Sequence, residues 1–276
     1  MAWTVGVSDT PSSPCVTRQD SLNIAFIGGT DSSGGAGIAA DQQTVLRLGH
    51  FPIPVISAIT LQNGKQGIRS FALPEEGLRS QFSELTKVPI HGLKIGMLPD
   101  AKAVKVVTEL IHQHRFPLVI LDPVLLSSSG HFLIDEEGWD AVRHILLPLV
   151  DLATPNLEEA QRMCDHTSNN TQPDPEKLGK TWLQLGVKSV LIKGGHAQGE
   201  HCTDFLFRND QPTLTYPWKR LIGGTQVRGT GCRLATGIAC HWAQSGELEQ
   251  AVKEAGKYLQ GYIQAELALS SQRLAD

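Results

Sequence analysis

The stretch Thr225-Gln226-Val227-Arg228-Gly229-Thr230-Gly231-Cys232 leads from a glycine-flanked turn straight into an apolar helical run, Leu234 to Trp242. Backbone N–H groups at a helix start have no intrahelical partner and point outward. The helix dipole adds roughly half a positive charge at that end. Gly229 and Gly231 let a ligand approach the backbone closely and tolerate unusual torsion angles. These features together make an anion site. Cys232 falls in the first helical turn, where a thiol's pKa is expected to drop. An anion cradle beside an activatable thiol suits phosphoryl transfer, in which positioning and charge stabilisation do most of the catalytic work.

More polar residues stand just after apolar runs that read as strands. They are Thr30-Asp31, Gln62-Asn63, Asp122, Asn156 and Lys193. In open parallel sheets ligands bind at the carboxyl edge of the strands. Any one of these residues alone reads as a turn or cap; five at successive strand ends point to a single site. Gly179-Lys180-Thr181 mimics the end of a P-loop, but the pattern needs a glycine five positions earlier, where Asp174 stands. That tripeptide also falls inside a helical run, so a Walker-type NTPase is excluded.

The elements that must position these residues follow from apolar periodicity. Strands are predicted at Leu22–Ile27, Pro54–Leu61, Ile68–Leu73, Gly92–Ile95, Leu118–Leu121, Leu152–Ala153 and Ser189–Ile192. Two polar-rich strands follow near Asp204–Arg208 and Thr213–Tyr216. Helices are predicted at Ala36–Leu48, Pro74–Lys87, Ala101–His114, Asp135–Leu147, Leu157–Met163, Pro175–Leu185, Thr230–Gln244 and from Leu248 to near Leu269. Asp135 is a plausible helix cap. Strand–helix alternation at this spacing predicts an α/β fold whose mainly parallel sheet is covered on both faces. The stripe Val252, Leu259 and Ile263 on the last helix reads as core or dimer packing.

The chain has 276 residues, 41% of them hydrophobic, enough for one large α/β domain over residues 21–276. Residues 1–20 are polar, rich in Ser, Thr and Pro, and read as a flexible tail without the layout of a signal peptide. A net charge of −4 offers no basic patch for nucleic acid. No apolar run reaches the roughly 20 residues that cross a bilayer. Cys15, Cys164, Cys202, Cys232 and Cys240 form no metal-ligand spacing, and their odd, scattered occurrence fits a reducing cytoplasm.

Seven segments in order resemble the hydroxymethylpyrimidine/phosphomethylpyrimidine kinases of thiamine biosynthesis, which have the ribokinase-like fold. They are Gly28-Gly29-Thr30-Asp31-Ser32-Ser33-Gly34-Gly35-Ala36-Gly37, Ala58-Ile59-Thr60-Leu61-Gln62-Asn63, Lys94-Ile95-Gly96-Met97-Leu98, Leu121-Asp122-Pro123-Val124, Thr154-Pro155-Asn156-Leu157-Glu158-Glu159-Ala160, Lys193-Gly194-Gly195-His196 and Gly229-Thr230-Gly231-Cys232. The likeness runs from about Leu22 to Leu267. The cysteine is its sharpest element, since sugar kinases of that fold carry Asp there. The resemblance implies a three-layer α/β/α sandwich and a homodimer that uses ATP and Mg²⁺ on a small pyrimidine.

It also implies roles. Gln62 would read the ring nitrogen and amino group, and Met97 would pack on the ring. Gly28 and Asp31 would border the same pocket. Gly229, Thr230, Gly231 and Cys232 would cradle the transferring phosphoryl group, with Cys232 as base or proton relay. Lys193 would contact nucleotide phosphates, with Arg228 beside them. Asn156 and Glu159 would hold Mg²⁺ through water, with Asp122 nearby. Magnesium's preference for oxygen ligands and Lys as a point charge for phosphate agree with these roles.

Four positions depart from the family pattern. Arg228 stands where His is usual, Arg233 where a small polar residue is usual, Ser127-Ser128-Ser129 where a Lys is frequent, and Thr30 where Ser is usual. Cations near a helix N-terminus oppose its dipole. A bound anion would offset Arg228 and Arg233, or both would face solvent. Two alternatives stand beside the leading one: a pyridoxal/pyridoxine kinase of the same fold, and a non-catalytic pyrimidine-binding regulator. Intact Lys193, Glu159 and Cys232 argue against the regulator.

Overall fold

The computed structural model describes residues 21–63, 67–126, 131–164, 174–194 and 200–273. The N-terminal tail, Ser127–Ser129 and Gly195-His196 lie outside the described residues, as does the side chain of Gln62.

Among the described residues one sheet runs through the protein. Its strands are β1 (Asn23–Asp31), β2 (Phe51–Asn63), β3 (Gly67–Ala72), β4 (Gly92–Ile95), β5 (Val119–Leu121), β6 (Leu152–Ala153), β7 (Ser189–Ile192), β8 (His201–Arg208) and β9 (Leu214–Lys219). Their order is β3-β2-β1-β4-β5-β6-β7-β8-β9. β2 through β7 in that order pair parallel, while β3, β8 and β9 pair antiparallel. The expected mainly parallel sheet therefore carries antiparallel margins. The chain builds outward from β1 through β2 and β3, then returns to lay β4 on the other flank of β1. The order thus reverses between β1 and β4, the kind of crevice where parallel sheets bind ligands.

The helices are α1 (Gly37–Arg47), α2 (Glu75–Leu85), α3 (Ala101–His114), α4 (Glu136–Ala141), α5 (Leu157–Cys164), α6 (Pro175–Gln184), α7 (Thr230–Ser245) and α8 (Leu248–Arg273). They cover both faces of the sheet. Strand side chains alternate between faces. Ala25 and Ile27 pack with Leu78, Phe82, Val104 and Val107 of α2 and α3. Ile24 and Phe26 pack with Ile38, Val45, Leu234 and Ile238 of α1 and α7. Val252 of α8 is buried in the protein's own core, while Leu259 and Ile263 of the same stripe face the cleft described below.

Several boundaries differ from expectation; β1 and β2, for instance, run on through Asp31 and Asn63. β2 begins at Phe51, ahead of Pro54, because β3 covers only Ala58–Asn63. Along 51–57 the outer side of β2 is an edge, where a proline's missing N–H removes no ladder bond. The helix expected over Asp135–Leu147 starts as α4 with Asp135 as its cap, Oδ1 accepting from the Gly138 N–H at 2.7 Å. It then widens into a π turn (Val142–Leu146) and tightens into a 3-10 turn (Leu147–Leu149). Pro148, which can neither donate nor tolerate the carbonyl one turn back, forces that change. β8 and β9 extend to His201 and Lys219, beyond the ends expected from sequence.

The P-loop look-alike is a packing device. Gly179 lies in α6, where a Cβ would stand 2.4 Å from the Phe207 ring.

Candidate active site

A cleft of about 860 Å³ opens at the carboxyl ends of the parallel strands. It gathers Gly28, Asp31, Met97, Asp122, Asn156, Glu159, Lys193, Arg228 and Gly229–Cys232; Gln62, whose backbone pairs with Ile68 of β3, has its side chain outside the described residues.

The Gly229–Cys232 loop leads directly into α7. Gly229 is the N-cap of α7 and sits in the left-handed region (φ 69°) that disfavours other residues. The first intrahelical bond runs from the Arg233 N–H to the Gly229 carbonyl at 3.0 Å. The N–H groups of Thr230, Gly231 and Cys232 are therefore free of intrahelical partners at a helix start. A Cβ on Gly231 would stand 3.2 Å from Lys193 Nζ and 3.5 Å from Asp122 Oδ2. The loop, the lysine and the aspartate thus meet at one point.

Lys193 and Asp122 are an ion pair, Nζ donating to Oδ1 at 2.8 Å, and Thr154 Oγ1 donates to the same oxygen at 3.2 Å. Burial works against both charges, but each outweighs it for the other. The carboxylates of Asp122 and Glu159 hold the Lys193 pKa above its ordinary value. The ammoniums of Lys193 and Lys94 hold Asp122 below its own.

Asn156 and Glu159 form a reciprocal capping box at the start of α5. Glu159 N–H donates to Asn156 Oδ1 at 2.8 Å, and Asn156 N–H donates to Glu159 Oε2 at 2.9 Å. Glu159 is buried at 6% exposure, so it is not a solvated first-turn carboxylate. Burial pushes its pKa up to about 7; Lys193 opposes the shift and Asp122 adds to it.

Cys232 corrects the sequence expectation. Burial raises its pKa to about 11 although Lys94 and the Gly37 N–H pull the other way. The thiol is protonated at neutral pH. The helix start is overridden by burial and by the Asp41 and Asp122 carboxylates.

On the far side of the cleft lie Gly28 and Met97. Met97 is buried, its carbonyl accepting from Ser57 Oγ at 2.6 Å, and its thioether lies against Gly29. Asp31 organises its own loop. Its carboxylate accepts from Ser33 N–H and Oγ and from Ala36 N–H, all within 3.0 Å. Arg228 crosses from the anion loop to join it, Nη2 standing 3.3 Å from Asp31 Oδ2 and Nη1 donating to Ser33 Oγ at 3.0 Å. Arg233 is neither aimed at the cleft nor exposed; it is buried behind the loop at 1% exposure.

Two groups escaped the sequence reading as site residues. Lys94 lies in β4 on the α1/α7 face and pairs with Asp41 of α1 at 2.9 Å, while Thr236 of α7 donates to Asp41 at 2.8 Å. Its signal was available: a lysine within a four-residue strand that is otherwise apolar and wholly buried. Asp204 of β8 is the other. It is buried, accepting from the Gly194 N–H beside Lys193 and from Trp218 Nε1, both at 2.9 Å. Trp218, Leu221, Val227, Gly256, Leu259 and Ile263 give that end of the cleft an apolar wall.

The phosphomethylpyrimidine kinase family profile matches residues 31–274. The chain belongs to the phosphomethylpyrimidine kinase family. The hydroxymethylpyrimidine/phosphomethylpyrimidine kinase of Aquifex aeolicus is 34% identical over 235 residues, 84% of this chain and 91% of that one. The crystal structure of phosphomethylpyrimidine kinase from Clostridium difficile 630 has a TM-score of 0.74 at 31% identity, covering 88% of this chain and 99% of that one. A pyridoxal kinase from Staphylococcus aureus, solved with pyridoxal, has a TM-score of 0.79 at 23% identity over 88% of each chain, a likeness of fold. The molecule described above is a small-molecule kinase.

Proposed function

We propose that the kinase, a ribokinase-like three-layer sandwich, transfers the γ-phosphoryl group of ATP to 4-amino-5-hydroxymethyl-2-methylpyrimidine and to its monophosphate. The observation that carries this reading is the meeting of the Gly229–Cys232 loop with Lys193 and Asp122 at Gly231. Free N–H donors, a helix dipole and an ammonium converge where transferred charge would develop.

The substrate hydroxymethyl oxygen attacks the γ-phosphorus, the bond from phosphorus to the bridging oxygen of ADP breaks, and the hydroxyl proton must leave. A thiol with a pKa near 11 is not a standing base. Cys232 therefore relays: Sγ takes the hydroxyl proton as its own S–H proton passes to a phosphoryl oxygen or water. Met97 and Gly28 would floor the ring pocket, Asp31 would fix its rim, and Gln62 would read the ring edge. Trp218, Leu221 and Leu259 would seat the nucleotide base.

Asp122 and Glu159 fit a hydrated Mg²⁺. Both are buried carboxylates on one cleft beside Asn156. Magnesium keeps several of its waters, so two carboxylates can suffice to hold it. Such an ion would neutralise phosphate charge during transfer.

Exposed Ile59 and Leu61 of β2 and Phe71 of β3, with Ile59 paired directly to Phe71, support a homodimer through that ribbon. Among the described residues Cys202, Cys232 and Cys240 form no disulfide, in keeping with the cytoplasm. Among the described residues no helix is long and apolar enough to cross a membrane.

The test is a coupled kinase assay on hydroxymethylpyrimidine, its monophosphate and pyridoxal. Turnover of the first two with a clear kcat/KM advantage over pyridoxal is the expected result. A preference for pyridoxal, or no turnover of either pyrimidine, would sink the reading.

A further inference from the structure

Arg233 is a buried cation whose partners are all neutral. Its Nη1 donates to the Gly35 carbonyl at 2.9 Å and, at 3.4 Å, to the carbonyls of Arg228 and Gly229. Its Nη2 donates to Gln43 Oε1 at 2.9 Å, and the guanidinium lies 4.1 Å over the Tyr262 ring. Its Nε is buried without a partner. A buried charge is costly unless compensated, and this one stands in the first turn of α7, where the helix dipole is already positive. The arrangement is unfavourable in the empty protein and favourable once an anion sits in the loop in front of it.

The guanidinium also joins two loops. Gly35 belongs to the segment that carries Asp31 and ends at Gly37, whose N–H bonds Cys232. Gly229 heads the anion loop. A Cβ on Gly229 would stand 2.2 Å from the Gly35 carbonyl, so the two backbones already touch, and Arg233 donates to both. Each carbonyl it contacts shares a peptide unit with an N–H on the other side: Ala36, which donates to Asp31 at 3.0 Å, and Gly229 and Thr230 of the cradle. Hydrogen bonds in series polarise one another, so a cation at the carbonyl strengthens the donor beyond it.

We propose that Arg233 is a positioning residue for phosphoryl transfer. From behind the Gly229 turn it locks the anion loop to the Asp31–Gly37 loop and supplies positive charge to the cradle without touching the ligand. This rests on the kinase reading above, but part of its test does not.

Binding of inorganic tripolyphosphate is measured by calorimetry for the parent, Arg233→Lys and Arg233→Gln, alongside kcat and KM for each substrate. Arg233→Gln is expected to weaken tripolyphosphate binding and lower kcat by about 10- to 100-fold, with the pyrimidine KM within about threefold of the parent. Arg233→Lys, which keeps the charge and loses the fork, is expected to recover most of the anion affinity and less of kcat. Tripolyphosphate binding by Arg233→Gln within about threefold of the parent would overturn the proposal, as would a Lys variant no better than Gln. If Arg233→Gln does not fold, the Lys variant decides alone: anion affinity lost as fully as kcat overturns the proposal. A parent that binds tripolyphosphate but turns over no pyrimidine refutes the pyrimidine-kinase reading and leaves the anion arm to judge Arg233.

Discussion

Lys193 and Asp122 meet at 2.8 Å across the end of β6, one residue following β7 and the other β5. The parallel pairing of three adjacent strands brings together groups 71 positions apart. Both lie against Gly231, where, on the proposed reading, a phosphoryl group would be met. Much of what can be tested follows from this point and from the thiol one residue beyond it.

Cys232→Ala should fold and lose most alcohol phosphorylation, by about 10²–10⁴ in kcat, the usual worth of a proton-transfer group. The monophosphate carries its nucleophilic oxygen already ionised near neutral pH, since a phosphate's second pKa is about 6, so its turnover should fall less. In the free parent enzyme, iodoacetamide should alkylate Cys232 slowly at pH 8 and faster as pH approaches the thiol pKa of about 11. Equal losses on both substrates would remove the relay role; fast alkylation at pH 7 would show that burial does not govern the thiol.

Lys94→Met should destabilise the protein by about 3–5 kcal/mol, because it strands the wholly buried Asp41 carboxylate. The double variant Lys94→Met, Asp41→Leu should recover much of that loss, since an apolar pair can replace a buried ion pair. With Lys94 gone the Cys232 thiol should ionise at still higher pH. Denaturant unfolding and alkylation rates check the two claims separately. A single variant as stable as the parent would mean that Asp41 finds another partner.

How the sequence disclosed this site has a physical pattern. The strand-end residues were legible because parallel strands read as short apolar runs, and whatever follows them lies at one edge. The loop Gly229–Cys232 was legible as a helix start because glycines directly before an apolar run mark a turn into a helix. What stayed hidden depends on distant neighbours. The Cys232 pKa is decided by burial and by Asp41, nearly two hundred positions away. Arg233 looks like a ligand-facing or solvent-facing cation until Tyr262 and Gln43 are placed around it. Asp204 lies in a strand whose alternation gave no hint that its carboxylate would anchor Gly194.

Glu159→Gln should leave α5 capped, since the amide oxygen can accept from Asn156 as the carboxylate does. Its folded pKa of about 7 lies above the ordinary 4.5, so the native state holds its proton more tightly than the unfolded chain. The stability this contributes is fully present at low pH and is lost as pH rises from about 4.5 through about 7. The Gln variant lacks that loss and should be at least as stable as the parent at pH 8. It should nevertheless need more Mg²⁺ for half-maximal activity. An unchanged Mg²⁺ titration would reduce Glu159 to its capping role.

His50 should make the protein acid-sensitive far from the site. It is buried, its Nδ1 accepts from the Leu22 N–H at 3.3 Å, and its Nε2 has no partner. Burial and then the neighbouring His241 and His91 hold its pKa below the usual 6.5. The unfolded chain therefore binds the proton first, and the contribution of neutral His50 is lost as pH falls below about 6.5. His50→Asn keeps an acceptor for Leu22 and should flatten the stability–pH curve below about pH 6.5. Parallel curves for parent and variant would assign the acid sensitivity elsewhere.

Arg228→His restores the residue usual in the family and tests whether Arg228 selects an anionic substrate. In the structure its guanidinium is already engaged by Asp31 and Ser33, and about a third of the side chain is exposed (35%). It would have to leave Asp31 to grip a substrate phosphate. A partly exposed pair of this kind is worth about 0.2–1 kcal/mol, so its loss should loosen the Asp31 loop and raise both pyrimidine KM values by at most about fivefold. The ratio of kcat/KM for alcohol to that for monophosphate should then stay within about twofold of the parent, because both substrates use the same loop. A swing toward the alcohol of more than about fivefold would show that Arg228 releases Asp31 and reaches the phosphate in the loaded enzyme.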